Sequence, residues 1–446
     1  MNPLSRREFL ASSAALAGAT HVFAAPRSRP NILFILADDL GYGDLGCFGR
    51  PDYTTPHMDR LAAQGVRLTQ AYANSTYCTP TRCAFLTGRY PQRIGGALER
   101  PIVPRGTDLD AGLSSENPTL PALLRAAGYF TALVGKWHLG HRPEFGPNRH
   151  GFEEFFGVPA WGTDYFSHQE DGRPSLYENL RPVERAGYLT DLLADRAAEI
   201  VSRRRTQPFY LSLHFTAPHW PWQPPGGHPL DPGQEETAGG SLKIFAAMVR
   251  SLDDGIGRVL KALRNSGRER DTLVILTSDN GGERYSFNWP YAGKKGSLSE
   301  GGIRVPAILR WPGVIPAGRG SGQAAITTDW HATILSAAGA KSDPAYPSDG
   351  RDLLPVLTGK QEEFERDFFW RYLNQDAARI GWWKFLRIRE SESLFDLRED
   401  PGEVANLKTQ HPAVLDRMKQ SFARWESQMK PRPDYLIPPR AKSATS

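Results

Sequence analysis

The sequence predicts an α/β fold built on a largely parallel sheet, and three observations lead there. Short, continuous apolar runs alternate with helix-like stretches along the first three quarters of the chain. The runs carry no polar alternation, as expected of strands covered on both faces by helices. Each run also ends in polar residues, and in open α/β sheets ligands bind beyond the carboxyl ends of the strands.

Taken in order, the first run, Asn31 to Ala37, leads straight into Asp38-Asp39. A helix-like stretch from Pro56 to Gln64 follows, and a second covers Thr119 to Ala127. The run Tyr129 to Val134 ends at Gly135-Lys136-Trp137-His138. After a helix-like stretch from Thr190 to Arg203, the run Pro208 to Leu213 leads through His214 to Ala217-Pro218-His219. A long helix is expected over Leu242 to Ser266, and the run Thr272 to Leu276 then meets Ser278-Asp279-Asn280-Gly281-Gly282. Four strand ends thus deliver carboxylates, a lysine and histidines to one edge. Packing alone does not explain that convergence, because uncompensated buried charge is costly.

The last quarter reads differently. Alternating aromatic segments, among them Trp382 to Ile388 and Ser393 to Leu397, are followed by a turn at Asp400-Pro401-Gly402 and a polar helix from about Pro412 to Gln428. A small antiparallel sheet closed by a helix is expected. The organisation predicted is residues 1–24 as an export signal, 28–354 as the catalytic domain, 355–430 as a C-terminal subdomain and 431–446 as a loosely ordered tail.

The N-terminus supports export. Ser5-Arg6-Arg7-Glu8-Phe9-Leu10 reads as a twin-arginine signal, and the weakly apolar stretch that follows offers a cleavage site at Val22-Phe23-Ala24. The stretch is too short and too polar for a membrane anchor, which needs about 20 strongly apolar residues. The expected partner is the twin-arginine translocase, the destination the periplasm or the exterior. The net charge of +5 is mild and spread out, without the basic, aromatic-interleaved runs of a nucleic-acid binder. Three cysteines in 446 residues are no disulfide scaffold, so Cys47 and Cys83 are expected as buried small apolar groups, with a Cys47–Cys83 bridge as the alternative.

Asp38, Asp39, Asp279 and Asn280 offer an all-oxygen donor set that suits a hard divalent cation such as Ca²⁺. Either pair alone could equally cap a helix or form a turn; together, beside glycines that allow close approach, they point to metal. No Cys/His cluster of zinc-ligand spacing is present. Lys136 and His138 stand one residue apart, so in an extended segment both side chains point the same way. Cys78 precedes Pro80 and Arg82. Proline is tolerated in a first helical turn, a helix start favours anions, and an arginine one turn on can reach back toward residue 78. A structural cysteine is the competing reading for this position.

The segment Cys78-Thr79-Pro80-Thr81-Arg82 with Leu86-Thr87-Gly88-Arg89 resembles the maturation signature of the type I sulfatases. Gly135-Lys136-Trp137-His138-Leu139-Gly140 is similar to a second segment of that family, and the stretch from His141 to Gly157 resembles its N-acetylgalactosamine-6-sulfatase branch. The resemblance runs from Asn31 to about Leu407. It implies an alkaline-phosphatase-like α/β sandwich with a large mixed sheet. It also implies a formylglycine nucleophile made from Cys78 by a maturase, and one Ca²⁺ held by Asp38, Asp39, Asp279, Asn280 and residue 78.

In the mechanism so implied, a hydroxyl of the hydrated aldehyde attacks the sulfate ester. Lys136, Lys295 and Arg82 stabilise charge on the sulfuryl oxygens. His219 is the acid toward the leaving alcohol, and His138 takes a proton as sulfate is expelled. The family alignment favours Lys295 over Lys294. Trp161, Trp220, Trp222 and Trp289 lean toward a carbohydrate substrate. Two alternatives stand beside this reading: a phosphonate or phosphate ester hydrolase with the same nucleophile, and a non-catalytic binder of sulfated glycans.

Overall fold

The computed structural model describes residues 29–103, 106–231 and 233–433. The predicted export signal and all but the start of the predicted tail lie outside the described residues. The large sheet contains, in chain order, β1 (Asn31–Ala37), β2 (Val66–Leu68), β3 (Phe130–Gly135), β4 (Glu154–Gly157), β5 (Tyr177–Glu178), β6 (Arg181–Pro182), β7 (Phe209–His214), β8 (Thr272–Ser278), β9 (Ala307–Arg310) and β10 (Arg319–Ser321). Their spatial order is β10-β2-β9-β8-β1-β7-β3-β4-β5-β6. The central five, β8-β1-β7-β3-β4, are all parallel, and antiparallel pairs occur only toward the two edges.

The continuous apolar runs are explained by cover on both faces. Successive strand residues point to opposite faces. Leu33 and Ile35 of β1 therefore enter one core layer, with helices Leu189–Ser202 and Leu242–Asn265. Ile32 and Phe34 enter the other, with helices Cys78–Thr87, Leu120–Ala126 and Thr327–Ala338. Strand β1 pairs on both sides along its length, so its carboxyl end sits at the middle of the sheet edge.

The C-terminal sheet is an antiparallel meander of β11 (Asp367–Tyr372), β12 (Gln375–Ile380), β13 (Trp383–Ile388) and β14 (Ser391–Asp396), covered by helix Pro412–Glu426. Its apolar side chains join Tyr72, Leu298 and Ile303 of the large domain in a third core cluster. Just past the helix, Arg432 pairs with Asp376 at 2.7 Å and Glu426 at 2.6 Å, which pins the beginning of the tail segment. Among the described residues no helix is long and apolar enough to cross a membrane. All three cysteines are free; Cys83 is buried, but Cys47 is only partly so, a departure from expectation that follows from its place on a surface 3-10 turn.

Candidate active site

The nucleophile candidate opens a helix whose ten residues, Cys78–Thr87, are all buried. Tyr77 precedes it in extended conformation and supplies no side-chain cap, so the first backbone N–H groups of the helix are left for another partner. Gly88 ends it at φ +68°, the left-handed turn that glycine makes without cost. Burial pushes the Cys78 thiol up to about 11 despite nearby Lys136 and Lys295, so the unmodified side chain is a protonated thiol at neutral pH.

Around it the strand ends converge. Asp38 Oδ2 accepts from Lys136 Nζ at 2.6 Å, and Asp279 Oδ2 accepts from Arg82 Nε and Nη2 at 3.0 and 2.8 Å. Asp39 Oδ1 accepts from Asn280 Nδ2 at 2.7 Å and Asp39 Oδ2 from Lys295 Nζ at 2.7 Å. One ligand atom each from Asp38, Cys78 and Asp279 lies within 4.8 Å of the others, and the same holds for Asp38, Asp39 and His219. Lys294 is exposed and Lys295 turns inward, which settles the choice between them.

Two acceptors are left over. Asp38 Oδ1 and Asn280 Oδ1 are buried and have no hydrogen-bond partner. Buried acceptors without donors are rare because each loses its hydration uncompensated. Burial and the neighbouring Asp38 charge push Asp279 up to about 7, whereas Asp39, though burial acts against it too, is held down at about 2 by the Lys295 charge. Crowded carboxylates with spare oxygens fit a hard cation.

The two histidines are presented in defined tautomers. Ile102 O sits 2.9 Å from His138 Nε2, which places the proton there; Nδ1 is buried without a partner and carries the lone pair. His219 Nδ1 lies 2.6 Å from Trp220 O, so its proton is on Nδ1 and Nε2 faces Asp39 Oδ2 at 3.7 Å. Burial, then the Lys136 charge for His138 and the Lys295 charge for His219, hold both rings well below the usual histidine range. The expected same-side projection of Lys136 and His138 does not come from an extended segment. Gly135 has φ +111° and His138 φ +58°, so the chain bends sharply between them. A Cβ at position 135 would lie 1.8 Å from His214 O, which is why glycine ends this strand.

His214, read from the sequence as a supporting residue on its strand, takes that place. His214 ends β7, with Nδ1 3.2 Å from Arg82 Nη1 and Nε2 2.7 Å from Ser212 Oγ, and so steadies the arginine from below. Of the tryptophans, Trp161 and Trp220 meet edge to face at 4.9 Å beside His219, whereas Trp222 packs on Phe245 and Tyr285, and Trp289 is exposed.

A parallel sheet that gathers carboxylates, lysines and histidines around an uncapped helix start is the frame of a hydrolase acting on an anionic ester. Residues 30–340 match the Sulfatase family model, and residues 291–428 match the model described as N-sulphoglucosamine sulphohydrolase, C-terminal. The chain is 34% identical to steryl-sulfatase of Mus musculus, over 93% of this chain and 85% of that protein. It is 36% identical to N-acetylgalactosamine-6-sulfatase of Sus scrofa, over 81% of this chain and 72% of that one. Among solved structures, that of Ps i-CgsB in complex with k-i-k-neocarrahexaose superposes with a TM-score of 0.82 at 30% identity, covering 90% of this chain and 94% of that chain. The chain belongs to the sulfatase family, and it is a sulfuric ester hydrolase.

Proposed function

We propose that this protein is exported by the twin-arginine pathway and hydrolyses a sulfate ester of a carbohydrate, after oxidation of Cys78 to formylglycine and with Ca²⁺ bound. The observation that carries the reading is the place of Cys78: first residue of a buried helix, within 4.8 Å of Asp38 and Asp279 ligand atoms. Asp38, Asp39, Asp279 and Asn280 would hold the cation, and their spare oxygens are what it would satisfy. Bound there, Ca²⁺ supplies fixed positive charge, and the oxidised residue 78 supplies a hydroxyl nucleophile that a thiol cannot replace.

The chain's own residues do the rest. Lys136 and Lys295 place ammonium charge where sulfuryl oxygens would sit, preorganised by their pairing to Asp38 and Asp39. Arg82 orients Asp279 through two hydrogen bonds. His138 Nδ1, free of other partners, accepts the proton from the hydroxyl whose deprotonation expels sulfate. His219 is neutral in the free protein; a bound sulfate monoester partly offsets the Lys295 charge and restores basicity at Nε2, which takes up a proton from solvent and then donates it to the departing alcohol.

The carbohydrate assignment rests on Trp161 and Trp220 beside His219, flat apolar walls on the leaving-group side, and on the complex with k-i-k-neocarrahexaose formed by the similar Ps i-CgsB. Export rests on Arg6-Arg7 and the stretch after it.

The test is mass spectrometry of the tryptic peptide Leu68 to Arg82 from protein co-expressed with a maturase, followed by sulfate release from a panel of sulfated sugars. An aldehyde at residue 78 with sulfate release supports the reading. An unmodified thiol beside a competent maturase overturns it, and faster turnover of an aryl phosphonate than of an aryl sulfate would reassign the substrate.

A further inference from the structure

Lys295 is held from a distance by the C-terminal sheet. The lysine rides on a turn in which Gly296 has φ +89° and its N–H donates to Thr76 Oγ1 at 2.8 Å, two residues before Cys78. Gln375, the first residue of β12, closes this turn with a single side chain. Its Oε1 accepts from Leu298 N at 2.9 Å and its Nε2 donates to Gly296 O at 2.8 Å. The neighbouring Tyr372 of β11 packs on Tyr77, ring centroids 4.9 Å apart, and the Lys295 ammonium stands 5.6 Å above the Tyr77 ring. The amide therefore touches neither of the two strand-end carboxylates, yet it fixes two backbone groups, Gly296 O and Leu298 N, immediately after the lysine.

A second anchor fixes the other end of the segment. Lys384 of β13, fully buried, lies 2.9 Å from Glu300 Oε1 and 2.8 Å from Glu403 Oε1. Glu300 begins the short helix that follows the turn, its Oε2 accepts from Tyr72 at 2.7 Å, and its backbone N–H donates to Glu403 Oε2 at 2.6 Å. The residues between Lys295 and Glu300 are thus clamped at both ends by side chains of the C-terminal subdomain.

We propose that Gln375 is a positioning residue for Lys295, so that the C-terminal hairpin is part of the catalytic frame and not only a covering layer. The proposal rests on the reading of Lys295 as the cation that meets the sulfuryl oxygens. A side chain displaced by about an ångström can cost on the order of 100-fold in rate, and loss of both hydrogen bonds removes the hold of the C-terminal sheet on the turn, leaving it tied through Lys295 N to Gly282 O and Gly296 N to Thr76.

The experiment is a double-mutant cycle in the full, matured chain, comparing the unsubstituted protein, Gln375→Leu, Lys295→Ala and the double variant. Two quantities are read: turnover of an aryl sulfate, and affinity for inorganic sulfate by calorimetry. The expectation is that Gln375→Leu lowers kcat/KM roughly 10- to 100-fold, mostly in kcat, and weakens sulfate binding. In the Lys295→Ala background the same substitution should change either quantity by less than about twofold. Gln375→Glu, which keeps an acceptor for Leu298 N and loses the donor to Gly296 O, should fall between. Costs that multiply in the double variant overturn the proposal, as does a folded Gln375→Leu of full activity. If both Gln375 variants fail to fold, the residue is structural and the proposal falls. Absent turnover in the unsubstituted protein with the aldehyde formed sinks the catalytic reading instead, and the sulfate-binding cycle still decides the positioning role.

Discussion

Two buried charge clusters in this molecule invite comparison. At the strand ends, Asp38, Asp39 and Asp279 crowd together against Lys136, Lys295 and Arg82, and two buried oxygens are still left without a partner. Between the domains, Glu300 and Glu403 share Lys384, and both Glu300 oxygens are satisfied. In the second cluster burial and the Lys384 charge act in opposite senses on both glutamates: the lysine prevails at Glu300, holding it at about 2, while burial raises Glu403. In the first, burial and the Asp38 charge act together and push Asp279 up to about 7. A cluster in which each of the four carboxylate oxygens lies within 2.9 Å of a donor is an anchor. One that leaves spare oxygens and a carboxyl poised near neutrality is built for something not supplied by the chain.

The sharpest way to break the comparison is to substitute on both sides and read activity and stability separately. Cys78→Ala should abolish aryl sulfate turnover, by roughly 10⁴-fold or more, while the melting temperature stays within a few degrees, since one small buried group is exchanged for another. Lys384→Met should do the reverse in energetic terms, costing about 3–5 kcal/mol in denaturant unfolding because it strands two buried carboxylates. Comparable stability loss in both variants would dissolve the distinction.

Smaller effects sharpen it further. Chelation should lower the melting temperature and Ca²⁺ should restore it, the bound ion contributing about 2.7 kcal/mol of stability at a hundredfold excess over Kd. Asp38→Asn should lose the calcium response; it relieves carboxylate crowding at Asp279 but removes the charged partner of buried Lys136, so its stability in chelator should fall below that of the unsubstituted protein. No shift on calcium addition in the unsubstituted protein would remove the cation from the account.

The pH dependence separates the two kinds of group. Burial holds His150 and His331 at about 4. The folded state therefore binds fewer protons than the unfolded chain below the ordinary histidine range. Their contribution is complete above about 6.5 and is lost as pH falls toward 4. Asp279, raised to about 7, acts oppositely over part of this window, stabilising as pH falls. With Ca²⁺ bound its opposition should vanish, so the acid decline in melting temperature should steepen, and His331→Gln should make it shallower. The smallest effect belongs to exposed Lys294, whose replacement by alanine should leave stability within about 0.5 kcal/mol and turnover nearly unchanged.

Much of the large domain was legible because its strands are covered on both faces and therefore read as unbroken apolar runs. The expected run Asn31 to Ala37 is the observed β1, and the long helix expected to Ser266 ends at Asn265. The polar residues beyond each run could be located for the same reason. What failed was local: the extended geometry assumed for Lys136 to His138 gives way to two left-handed residues. Gln375 and Lys384 were invisible, because their partners on the Lys295 turn and at the start of the helix after it lie 77–84 residues away in sequence and a lone amide or a lysine in an alternating strand has no pattern to betray it.

The sequence by itself determined the α/β class, the order of the strand ends and the residue types gathered there, since these follow from period and local composition. Only the tertiary structure decided which oxygens go unsatisfied, which nitrogen of each histidine carries the proton, and that the C-terminal hairpin grips the Lys295 turn. Those depend on distances between groups far apart in the chain, which are set by packing and not by any local propensity.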